Sequence, residues 1–232
     1  MKRSNWMAVM FAVIVAGIAP KAQAALVTIY DGQALPADST PDWDTFFLET
    51  GSSQSATGGI LTVTTTPGQD VENRLKDGEP GWNPVNLGTV VEIKIKTSVI
   101  GTNGWAGGLL IDVGSRVWNL AIGGQFVSDL AGGGDVIIPF DNTNARVFRF
   151  EIPDETGVTP LKVYVDDTLY GTHVGGTSAA GTRLAFGDLH GAEDGTVEWD
   201  YLATSNTGVP EPSALALAAV GASTLLRRRR VR

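Results

Sequence analysis

Between Ala25 and Thr207 no stretch holds the 3.6-residue helical period, and short runs of alternating apolar and polar residues stand in its place. The clearest run is Val90-Val91-Glu92-Ile93-Lys94-Ile95-Lys96. Val91, Ile93 and Ile95 face one way, and Glu92, Lys94 and Lys96 the other, as in a strand with one wet face. Short β-rich runs of this kind recur near residues 27–30, 60–66, 90–96, 108–112, 117–122, 136–139, 146–152, 161–165, 169–173, 183–187 and 196–203. Gly, Asn, Asp and Pro separate them, which predicts an all-β sandwich or barrel. The runs at 107–112 and 117–122 read as one hairpin. A second, tighter hairpin is Leu161–Val165, Asp166-Asp167, Thr168–Thr172, in which Asp167 must accept a positive φ.

The two ends break this pattern. Lys2 and Arg3 precede the apolar stretch Met7 to Ile18, and Ala22-Gln23-Ala24 follows. A positive start, a short apolar core and an A-x-A site are the parts of a secretory signal peptide, so residues 1–24 are expected to form a signal helix that is removed. At the other end, Pro210-Glu211-Pro212 precedes the apolar run Ala214 to Leu226, and Arg227, Arg228, Arg229 and Arg230 close it. An apolar segment ahead of an arginine cluster halts in a membrane with the arginines on the cytoplasmic side. As a helix the run spans about 20 Å, short of the hydrocarbon core of a bilayer. This order of elements resembles the PEP-CTERM sorting tail of exported bacterial proteins. The resemblance implies a short C-terminal transmembrane helix in residues 208–232, recognition by a membrane-embedded exosortase, and processing near the PEP triplet. The body is then residues 25–207, delivered by the secretion machinery to the cell surface or extracellular matrix.

Removing the ends changes the charge picture. The chain has 17 Lys and Arg against 25 Asp and Glu. The ends take eight of the basic residues and only Glu211 of the acidic ones, so the body carries 9 − 24 = −15. Nucleic acid is excluded as a partner, because phosphate binding needs a basic footprint. There is no cysteine, and His173 and His190 are the only histidines. Thiolate chemistry is absent, and a His-rich metal site or His-dependent triad is poorly supported.

Within the body, Arg146–Ile152 followed by Leu161-Lys162-Val163-Tyr164-Val165-Asp166-Asp167-Thr168-Leu169-Tyr170-Gly171 resembles the concanavalin A-like, laminin-G-like jelly roll, whose hairpin has the form LxVYVDGxLxG. Asp167 stands where that pattern has Gly. The close, Arg183–Asp188 and then Gly195–Leu202, fits as well. The resemblance implies a jelly-roll β-sandwich and a choice among lectins, carbohydrate-binding modules, glucanases, lyases and adhesive modules. Related jelly rolls often carry a structural calcium. Asp141, Asn142, Asp188 and Asp194 lie in loops rich in the oxygen ligands it needs.

Glu198 and Asp200 sit two apart on a strand, about 7 Å, a spacing a glycosidase pair can use. The glucanase pattern ExDxxE, however, has Ala203 at its third acidic position here. The alternation also makes these two residues the polar face of a half-wet strand. For sugar binding, Trp82 and Trp105 lie in Gly/Asn-rich loops, and Trp118 with Asn119 lies on a strand expected in the concave sheet. The role that best fits is a non-catalytic surface protein binding extracellular polysaccharide. A polysaccharide-degrading hydrolase or lyase and a purely adhesive module stay open as alternatives.

Overall fold

The computed structural model describes residues 25–75, 82, 89–99, 104–132, 134–139, 143–152, 159–189 and 195–205. The expected signal helix, transmembrane helix and sorting residues Pro210, Glu211, Pro212 and Arg227 to Arg230 lie outside the described residues. All described residues but Ala25 belong to the unit Leu26–Gly208. Its first strands are β1 (Val27–Tyr30), β2 (Trp43–Leu48), β3 (Ser53–Thr57), β4 (Ile60–Thr65), β5 (Val71–Leu75), β6 (Thr89–Val99) and β7 (Trp105–Gly123). There follow β8 (Phe126–Asp129), β9 (Asp135–Ile137), β10 (Arg146–Ile152), β11 (Leu161–Val165), β12 (Thr168–His173), β13 (Gly176–Gly181), β14 (Leu184–Asp188) and β15 (Gly195–Thr204). One 3-10 turn, Pro36–Asp38, precedes β2.

The strands form two antiparallel sheets, the β-sandwich that the two-residue period predicts. The larger sheet has the order β12-β11-β10-β6-β15-β4-β3, with β1 beside β15. The smaller has the order β2-β5-β14-β7-β8-β9, with β13 beside β7. Inward side chains from both sheets make one core. Phe186 of the smaller sheet packs 4.9 Å from Trp43 and 5.0 Å from Trp199 of the larger, ring centre to ring centre. All three rings are fully buried, and burying each is worth roughly 1.5–3 kcal/mol. A polar tie also crosses between the sheets. Asn73 on β5 donates to Gln54 on β3 at 3.1 Å and accepts from Thr45 on β2 at 3.2 Å.

The tight hairpin forms as expected, and both Asp166 (φ 46°) and Asp167 (φ 64°) adopt the left-handed conformation. That is the requirement of a two-residue type I′ turn, usually met by Asn-Gly. The carboxylates offset the backbone cost by reaching to β10. Asp166 accepts from Arg146 at 2.7 Å and from the Val147 amide at 3.1 Å, and Asp167 accepts from Arg149 at 2.7 Å. The other expected hairpin is not one. Residues 105–123 form a single 19-residue strand. Gly114 (φ 59°) bends it without reversing it, and β13 pairs across the bend, Gly176 with Val117 and Gly181 with Gly114. Gly114-Ser115 has turn chemistry, but here the pairing partner decides.

Candidate functional site on the outer face of the smaller sheet

The larger sheet presents an outer face in which charges meet charges. Lys96 binds Glu198 at 2.8 Å, Lys94 binds Asp200, and Arg149 lies between Asp167 at 2.7 Å and Glu151 at 3.5 Å. Tyr201 donates to Glu92 at 2.8 Å, and Tyr164 donates to Glu151 at 3.0 Å. Hydrogen bonds from Lys96 and Ser98 hold the Glu198 carboxyl below its usual range. A glycosidase acid needs the opposite shift, a carboxyl kept protonated near neutrality. Glu198 and Asp200 therefore behave as members of a wet strand face.

The outer face of the smaller sheet is built differently. Strand β2 lies at its edge, and its pairing to β5 slips between Thr45 and Phe47. Thr45 stands opposite Asn73 and Phe47 opposite Glu72, so Phe46 is the extra residue of a β-bulge. A regular strand sends consecutive side chains to opposite faces; a bulge re-aims one of them. Here both rings emerge on the outer side, Phe46 at 51% and Phe47 at 40% exposure, with ring centres 4.7 Å apart, edge to face. Arg74 lays its guanidinium 3.9 Å from the centre of the Phe46 ring. It also donates to one Glu72 oxygen through Nε at 3.0 Å and Nη2 at 2.8 Å.

Across the sheet from these rings the residues are small and buried, with Leu189 lying over Gly108. Arg74 pairs with Ala185 and then Leu110; Glu72 pairs with Gly187 and then Gly108. Gly187 has φ 146°, and a Cβ there would lie 2.0 Å from the Val71 carbonyl oxygen, so the position admits only glycine. Beyond these residues, Arg183 on the approach to β14 holds Asp112 of β7, with Nε and Nη2 each 3.0 Å from Oδ2. Asp112 is 1% exposed, and its Oδ1 has no hydrogen-bond partner among the described residues. The face thus runs from two aromatic rings, over small buried residues, to a buried acceptor beside a guanidinium. It crosses three strand spacings, about 14 Å.

The tryptophans chosen from sequence fall elsewhere. Trp118 is fully buried, and its Nε1 donates to the His173 carbonyl at 3.3 Å; it is a core residue, not a sugar platform. The bend at Gly114 shifts the alternation and turns it inward. Trp82 is 8% exposed and packs in the same core. Asn119 is half-buried, and its amide donates to Asp129 at 3.2 Å. Trp105 is half-buried and opens β7 at the end of the sheet where the register also places Phe47. The Phe46–Phe47 pair was missed because neither residue alternates with its neighbours. The signal available in sequence was the doubled aromatic itself in Trp43-Asp44-Thr45-Phe46-Phe47-Leu48.

Of the residues chosen for calcium, Asp141, Asn142 and Asp194 lie outside the described residues. Asp188 is buried between the sheets, where it accepts a hydrogen bond from Thr65. Among the described residues no three His, Asp or Glu side chains converge as a metal site. Nor, among them, is any helix long and apolar enough to cross a membrane.

Residues 208–230 match the PEP-CTERM protein-sorting motif, which marks a protein exported and sorted to the cell surface and implies recognition by an exosortase. No curated protein sequence matches the chain. Among solved structures, the sandwich is similar to a sialidase, with 12% identity over 80% of this chain and a TM-score of 0.55. The chain spans 19% of that sialidase. It is also similar to a carbohydrate esterase of the Shiga toxin-encoding bacteriophage phi24B, with 13% identity, 78% of this chain, 98% of that one and a TM-score of 0.53. At these identities the likeness is one of fold. Fold and tail together define an exported, surface-sorted β-sandwich protein.

Proposed function

We propose that the sandwich binds extracellular polysaccharide without cleaving it, along the outer face of the smaller sheet. The observation that carries this reading is the bulge that brings Phe46 and Phe47 out together beside Arg74 and Glu72. Pyranose rings present apolar C–H faces that aromatic rings cover, and hydroxyls that carboxylates and guanidinium groups bond. Two solved structures of this fold are named for enzymes that act on saccharides, which supports the ligand class. The ion-paired state of Glu198 and Asp200 favours binding over hydrolysis. The sorting tail suits such a role, holding the protein at the envelope through its C-terminal segment.

Affinity electrophoresis or a glycan array on the full-length protein tests the reading. Phe46→Ala combined with Phe47→Ala should weaken retention by roughly 1.5–3 kcal/mol, the scale of covering a large apolar side chain. Near-ultraviolet circular dichroism should stay native, because both rings are exposed. Wild-type release of oligosaccharides would replace binding with catalysis.

A further inference from the structure

The charge layout narrows the ligand further, on the reading that this face binds polysaccharide. Eight Lys and Arg side chains lie among the described residues. On the larger sheet, Lys94, Lys96, Arg146, Arg149 and Lys162 each have a carboxylate partner. On the smaller sheet's outer face the two guanidinium groups are engaged as well. Arg74 is held by Glu72 at 2.8 Å and Arg183 by Asp112 at 3.0 Å. The holding carboxylates are themselves packed in, Glu72 at 11% and Asp112 at 1% side-chain exposure. The eighth, Arg116, points one nitrogen at the Gly175 carbonyl at 3.5 Å.

A polymer carrying carboxylates meets guanidinium groups already neutralised by Glu72 and Asp112, so the face offers it no uncompensated positive charge. A polymer that displaced either carboxylate would leave a buried charge without its counter-charge, a costly arrangement. It would also have to approach a body of charge 9 − 24 = −15. A neutral polymer meets neither obstacle. Its hydroxyls can accept from the accessible N–H groups of Arg74 and Arg183 while both ion pairs stay intact.

We infer that the polymer bound on this face is an uncharged polysaccharide, held by ring stacking and hydroxyl hydrogen bonds, and that polyanions are turned away. The test is titration calorimetry of the full-length protein in EDTA, against a panel of neutral glucans, mannans and galactans and against polygalacturonate. Each titration is run at about 20 mM and about 500 mM salt, which shortens the Debye length from roughly 20 Å to roughly 4 Å. A neutral polymer should bind with an affinity that changes by less than about twofold between the two salts, since no net charge is neutralised. Polygalacturonate should bind about tenfold or more weakly at low salt, the effect of like charges brought together. Polygalacturonate binding more tightly than every neutral polymer, and loosening as salt rises, would overturn the inference and leave polysaccharide binding standing. Retention of none of the polymers would end both.

Discussion

The two outer faces of this sandwich meet water in opposite ways. On the larger sheet, alternation delivers a charged or hydroxylated side chain at the outward positions of β6, β10, β11 and the middle of β15, Val90 and Val147 excepted, and these residues satisfy one another. Glu92, Lys94, Lys96, Arg149, Glu151, Glu198 and Asp200 all find partners within that face. On the smaller sheet, two large rings stand in solvent beside Arg74 and Glu72. A face that completes its own pairing has little left for a ligand. Exposed rings have apolar area still to cover. Acidic pairs on strands drew attention in the sequence, yet the structure gives them to the self-satisfied face.

The strongest test of this contrast asks where the second face ends. Trp118→Ala should cost about 3–5 kcal/mol, read as a lowered urea midpoint, because the ring is fully buried. A folded, equally stable Trp118→Ala protein with weakened polysaccharide retention would extend the binding face onto Trp118 and undo its placement in the core.

A middle-sized effect belongs to the seam where the two sheets meet. His173 closes β12 and is 1% exposed, with Asp129 of β8 and Asp135 of β9 as its charged neighbours. Burial pushes its imidazole below the usual range, against the upward pull of those two carboxylates. The unfolded chain, with an imidazole near 6.5, therefore binds the proton more readily than the folded one. Its contribution to stability is complete above about pH 6.5 and is lost progressively as the pH falls toward the lower folded value. Urea unfolding of wild type and His173→Gln across pH 5 to 8 should give a steeper acid loss in wild type. Parallel profiles would remove His173 from the seam's acid response.

The smallest effect is expected on the self-satisfied face. Glu198→Gln should change stability by no more than about 1 kcal/mol, as for other part-exposed ion pairs, and should leave retention on polysaccharide unaltered. Loss of binding or of polymer cleavage in this variant would exchange the roles of the two faces.

How much of this was legible depends on how regular each strand is. Residues 90–96 alternate strictly and fold as read. The turn at Asp166-Asp167 was legible from its flanking runs, though the sequence did not announce that Arg146 and Arg149 would hold it. Strand β3, Ser53–Thr57, has no large apolar side chain and escaped notice; it pairs only with β4 at an edge. Strand β5, Val-Glu-Asn-Arg-Leu, hides its inward period because Asn73 faces the core. The candidate face depends on a slipped register at Phe46 and on a backbone bend at Gly114, and both are properties of pairing between distant segments. Local periodicity carries no record of either, which is why the two halves of β7 read as the arms of a hairpin.

One feature of the larger sheet bears on timing. Strand β15 is the last of the sandwich in sequence yet lies inside its sheet, between β6 and β4, and it also receives β1, with Val27 paired to Thr204. Contacts between such distant segments form slowly, because a long loop must close before they return any energy. Chain emerging from its N-terminus can therefore make hairpins but cannot finish this sheet until residues 195–204 are present. The sorting motif begins only a few residues later, at 208. The last strand that the sandwich needs and the sorting motif are thus made within a few residues of each other, so the fold can close only as the sorting motif follows it.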